Sequence, residues 1–100
     1  MIPKLKEVVY LVVGQKIAEL RGEKNVSLDE LAKKSKIEAQ TLSYAEVGRI
    51  KLSLVQLIEI ALALNVELDA LLPKVSKSLL KDGEAFARET VAAMLQNMGK

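Results

Sequence analysis

Two stretches, SLDE at 27–30 and SLVQ at 53–56, do most to constrain what this chain can fold into. Each is a Ser followed three residues later by Glu or Gln, and each opens an apolar run. That is a capping box: the Ser hydroxyl accepts from the backbone amide of the third helical residue, whose side chain returns to the Ser amide. With helix starts fixed at Ser27 and Ser53, there is room for one more short helix between them. Gly48 stops that helix, because glycine enters the left-handed region without a Cβ penalty. The spacing predicts helices over 28–35, 38–47 and 54–64, with SKIE at 35–38 as a short connection.

Upstream, Pro3 suits a first helical turn. Leu5, Val8, Val9, Val12, Val13, Ile17, Ala18 and Leu20 recur at helical spacing, although VVYLVV at 8–13 is also β-branched and strand-prone. A helix is expected from near Val12 to Arg21. Residues 1–11 are either its extension or a separate N-terminal arm, and Gly22 and Asn25 are its stop signals. Leu54, Leu57, Ile58, Ala61, Leu62 and Leu64 make the 54–64 helix apolar on most sides, the pattern of a central helix. Asn65 ends it, and a short helix over Leu68 to Leu72 stops at Pro73. Residues 74–82 read as a linker. A last helix over 83–98 puts Phe86, Ala87, Thr90, Val91, Met94, Leu95 and Met98 on one face. The fold class is all-α, since two prolines and five glycines leave little for a turn-rich β-sandwich. Half of the 100 residues are hydrophobic, enough for a core.

The chain has no Cys and no His. Disulfides, thiolate or imidazole metal sites and Ser-His-Asp triads are thereby excluded, and no cofactor is expected. Asp29 and Glu30 are a close carboxylate pair, but adjacent helical positions diverge and Glu30 already has a capping role. With no nucleophile beside a base, the reading is not an enzyme. VVYLVV is too short to span a bilayer and no small-residue cleavage site follows it. The expectation is a cytoplasmic protein with no membrane partner.

A net charge of +2 says little about nucleic acid, but the placement of charge says more. Between residues 27 and 73 the bases cluster as Lys33, Lys34, Lys36 and as Arg49, Lys51, while Asp29, Glu30, Glu59, Glu67 and Asp69 lie elsewhere. One cationic and one acidic face are expected. Between the two basic clusters lies the 38–47 helix. Leu42 and Ala45 fall on one of its sides; Ala39, Gln40, Ser43 and Tyr44 fall on the other. That second side is small, neutral and rich in hydrogen-bonding groups, where exposed helices ordinarily carry Glu and Lys. The order helix, short turn, helix within this span is a helix-turn-helix signature, whose second helix enters the DNA major groove. Gln pairs bidentately with adenine, Ser pairs with several bases, and small apolar groups meet the thymine methyl. Ala39, Gln40, Ser43 and Tyr44 are therefore the base-reading candidates, with Tyr44 alternatively packed on the next helix. Lys33, Lys34, Lys36, Thr41, Arg49 and Lys51 are the phosphate-contact candidates.

Residues 13–72 resemble a Cro/cI-like helix-turn-helix domain of the phage-repressor type. The marks are ELR at 19–21, SLDELA at 27–32, TLSYAEVG at 41–48, and SL followed by IALAL and LDALL within 53–72. The resemblance implies a five-helix repressor-like bundle over 12–73, flanked by the N-terminal extension and an additional C-terminal helix within 74–100. It implies 28–35 as the supporting helix, 38–47 as the recognition helix, and a structural ion pair between Arg21 and Glu46. This chain departs from the family at three places. Leu28 stands where a phosphate-touching Gln is usual, Lys36 where the turn has Gly, and Glu38 where the recognition helix begins with Ser or Thr.

The function implied is a sequence-specific, repressor-type transcriptional regulator that reads a pseudo-palindromic operator in double-stranded DNA as a homodimer. Phe86, Val91, Met94, Leu95 and Met98 are either a dimer interface or core packing against the bundle. The alternative function is a protein-interaction module on the same fold, antitoxin- or antirepressor-like, with the C-terminal helix docking a protein partner. The three departures motivate that alternative.

Overall fold

A computed structural model describes residues 4–74, 88, 91–93, 95 and 96. The described chain is all-helical. Helix α1 spans Leu5–Glu23, α2 Leu28–Ser35, α3 Ala39–Glu46 and α4 Leu54–Leu64, and a closing 3-10 helix spans Leu68–Leu71. Residues 88, 91–93, 95 and 96 are also helical.

Both capping boxes form as the sequence dictates. The Glu30 amide donates to Ser27 Oγ at 3.1 Å and the Ser27 amide to Glu30 Oε1 at 3.3 Å. The Gln56 amide donates to Ser53 Oγ at 3.1 Å and the Ser53 amide to Gln56 Oε1 at 2.9 Å. Stops are left-handed: Asn25, Lys36, Gly48 and Asn65 have φ of 55°, 61°, 76° and 56°. Gly22 is not a stop. It sits inside the last turn of α1, and Asn25 takes the left-handed position instead.

Each element delivers apolar side chains to one core. Ile17 of α1, Leu31 of α2, Leu42 of α3, Ile60 and Leu64 of α4 and Leu71 of the closing turn are all buried. Burying one such side chain is worth about 1.5–3 kcal/mol. Ser35 is buried among them because its hydroxyl donates to the Leu31 carbonyl at 2.7 Å, which satisfies the one polar group it carries inward.

Residues 5–11 are neither strand nor a separate arm. They are the first turns of α1, held by Val8 and Val12, which are buried with Val91 packed against them. The expectation for α4 is corrected. Ile60, Ala61 and Leu64 are buried, but Leu54, Val55, Ile58 and Leu62 face outward. The helix is apolar nearly all round, yet α2, α1 and the closing turn cover only one side of it.

At Gly14 the backbones of α1 and α3 approach closely. A Cβ built on Gly14 would lie 2.0 Å from the Ala45 carbonyl oxygen and 2.8 Å from that of Glu46. Backbone cannot yield as a flexible side chain can, so any larger residue separates the two helices. Gly14→Ala is expected to lower stability by about 2–3 kcal/mol in a urea titration, although Ala is the better helix former.

Candidate nucleic-acid interface

α2 and α3 form a helix-turn-helix. The turn is made by Lys36, whose φ of 61° and ψ of 30° redirect the chain, and by Ile37, which is buried. Glu38 takes the cap position of α3 in extended conformation, and its side chain makes no capping bond. Leu28 is half-buried and packed against the core. An apolar side chain there braces the bundle but offers a phosphate no donor.

Leu42 and Ala45 anchor α3 in the core and thereby fix what faces out. Gln40, Ser43 and Tyr44 are exposed, while Ala39 and Thr41 are half-buried. Gln40 Nε2 donates to Tyr44 Oη at 3.2 Å, one helical turn along. Tyr44 is thus turned outward beside Gln40. The two long side chains of this face form a linked pair, with amide groups of Gln40 still free to bond outward. Lys33, Lys34 and Lys36 are exposed at the end of α2 and in the turn, and Arg49 and Lys51 are exposed after α3. Among the described residues no cluster of potential metal ligands occurs.

The far end of α3 is tied down by charge. Arg21 Nε donates to Glu46 Oε2 at 2.8 Å and Nη2 to Oε1 at 3.1 Å, and Nη1 donates to the Val26 carbonyl at 3.1 Å. One guanidinium therefore joins the end of α1, the approach to α2 and the last residue of α3. The fork geometry of arginine matches a carboxylate bidentately, which makes such bonds stronger than neutral ones. The hydrogen bond to Glu46 raises the Arg21 pKa, desolvation opposes it and Coulomb attraction adds to it. A raised pKa means that the contribution is complete below the ordinary arginine range and fades only as pH climbs through the raised value.

A family model described as helix-turn-helix matches residues 17–71. The chain belongs to the Cro/cI-type helix-turn-helix family. Solved structures agree. The restriction-modification controller protein C.AhdI from Aeromonas hydrophila is 32% identical, with a TM-score of 0.61, over 62% of this chain and 94% of that one. The clp gene regulator ClgR from C. glutamicum is 30% identical, with a TM-score of 0.59, over 69% of this chain and 84% of that one. A hypothetical transcription factor, NHTF from Neisseria, shares the fold at 24% identity and a TM-score of 0.63, over 79% of this chain and 90% of that one. A search of curated proteins found no match.

Of the C-terminal candidates, Phe86, Met94 and Met98 lie outside the described residues. Val91 packs on Val8 and Val12 of its own chain, whereas Leu95 is exposed. Among the described residues no helix is long and apolar enough to cross a membrane. Sequence reasoning missed Gly14, which sets how closely α3 sits in the bundle, and the burial of Ser35 within α2. A glycine in mid-helix was the available signal for the first; nothing marks the second.

Arg21→Met is expected to cost about 1.5–3 kcal/mol, the loss of hydrogen bonds to a charged group. The deficit should hold constant in urea titrations from neutrality to about pH 10, well below the arginine range. Lys36→Gly is expected to stabilise by about 0.5–1 kcal/mol, because glycine escapes the left-handed penalty but loses more entropy on folding. Its melting curve checks this.

Proposed function

We propose that this protein is a sequence-specific, repressor-type transcriptional regulator that binds operator DNA as a homodimer and does no chemistry. Family membership over residues 17–71 and likeness to regulator structures support DNA binding. The observation that carries the finer reading is the outward face of α3. Gln40, Ser43 and Tyr44 stand exposed and uncharged, while lysines and an arginine are exposed on both flanks. A face with that chemistry suits base edges in the major groove, and the flanking cations suit phosphates. One eight-residue helix reads few base pairs. Two of them, about 34 Å apart across a two-fold axis, read a pseudo-palindrome on one side of the duplex.

A protein-docking module on the same fold is the competing reading. Leu28, turned to the core, and Glu38, which presents a carboxylate at the head of α3, favour it. The test is fluorescence anisotropy on random and selected duplexes over a salt series. A DNA reader loses affinity steeply with salt, because phosphate contacts release counterions. Gln40→Ala should lose about 1–3 kcal/mol of discrimination at one base step. Lys34→Ala should weaken every sequence alike and reduce the salt slope by about one. Weak binding that ignores salt would select the docking module.

A further inference from the structure

Gln40 and Tyr44 stand one turn apart on the outward face of α3, and Gln40 Nε2 donates to Tyr44 Oη at 3.2 Å. Among the described residues the Gln40 side chain has no other hydrogen-bond partner. Tyr44 is 41% exposed, so more than half of it is covered. Its ring also has fewer torsions to fix than a glutamine side chain, which makes it the firmer member of the pair. A side-chain amide carries one acceptor oxygen and two N–H donors. With one N–H given to Tyr44, Gln40 turns outward one acceptor, Oε1, beside one remaining donor.

We propose that Tyr44 is a positioning residue: its hydroxyl holds the Gln40 amide in the orientation that pairs with adenine and refuses guanine. The proposal rests on the operator-reading function of the preceding subsection and names the base that Gln40 selects. In the major groove adenine offers the N6 amino donor beside the N7 acceptor, which meet Oε1 and the free N–H. The whole amide is then satisfied, its oxygen by N6, one N–H by N7 and the other by Tyr44. Guanine offers two acceptors, O6 and N7, and asks for two donors. Gln40 can present two only by giving up Tyr44. Its Oε1 is then left without a donor in a site from which the base has displaced water, and an unpaired acceptor there is costly. A glutamine with no such partner turns its amide to suit either base and reads less sharply. Tyr44 therefore sets specificity through Gln40 and not by a base contact of its own.

The test uses the full chain and fluorescence anisotropy on duplexes selected from a random pool. The step read by Gln40 is the one at which Gln40→Ala loses discrimination. There the wild type should favour adenine over guanine. Tyr44→Phe, which removes only the hydroxyl, should lower that ratio about three- to tenfold, the worth of one hydrogen bond. Discrimination at other steps, the salt slope and the melting curve should stay as in the wild type. Tyr44→Phe added to Gln40→Ala should change the ratio no further, a coupling that a merely structural tyrosine would not show. The free protein gives a second readout. Tyr44→Phe should shift the side-chain amide NMR signals of Gln40 and leave those of Gln15 and Gln56 unmoved. Salt-steep, sequence-specific binding whose adenine-to-guanine ratio ignores Tyr44→Phe overturns this proposal and spares the operator reading, whereas binding that ignores salt removes both. A wild-type preference for guanine overturns it as well, since both N–H groups of Gln40 would then face outward.

Discussion

At Gly14 the backbone of α1 meets the last carbonyls of α3 with no side chain between them. That approach sets the depth at which α3 lies in the bundle. Leu42 and Ala45 can reach the core only at that depth, and the Arg21 guanidinium can grasp Glu46 only if the end of α3 comes to it. The van der Waals contact and the ion pair act on the same helix from different sides. The first fixes distance and the second fixes the rotation and tilt of the far end. With both in place, the direction in which Gln40, Ser43 and Tyr44 point is no longer free.

What was legible in the sequence was what is local. Ser27 with Glu30, and Ser53 with Gln56, carry both halves of their interaction within four residues, so the starts of α2 and α4 follow from pattern alone. The left-handed stops at Gly48 and Asn65 are legible for the same reason. The face of α3 also followed, because Leu42 and Ala45 leave its opposite side to solvent by geometry. Gly22 misled: a glycine near a helix end looks like a stop, but the chain closes at Asn25 instead. Gly14 could not be read, since its reason is a backbone in a different helix. The burial of α4 misled for a related reason. Hydrophobicity says that a surface would gain by being covered, and only the tertiary arrangement says how many neighbours come to cover it.

The three departures from the family pattern are of different physical kinds. Leu28 exchanges a polar contact for apolar packing, and the bundle gains from it. Lys36 holds the left-handed turn with a side chain that the backbone disfavours, and in return keeps a positive charge beside α3. Glu38 suits the positive end of the α3 dipole while it opposes an incoming phosphate. Stability and electrostatics are thus balanced separately at each site, and the fold tolerates all three because the one that packs against the core, Leu28, is apolar, while Lys36 and Glu38 are exposed.

α3 has eight residues, and so has α2. Isolated helices shorter than about 12–15 residues are marginal in water, because the nucleation cost is spread over too few hydrogen bonds. Neither helix has a helical existence apart from the bundle. An opening that strips either helix from the core therefore melts it. The outward face of α3 is then present in the same proportion as the folded protein. Every kilocalorie lost anywhere in the core multiplies the fraction of chains without that face about fivefold, so the face fails only when the fold itself does.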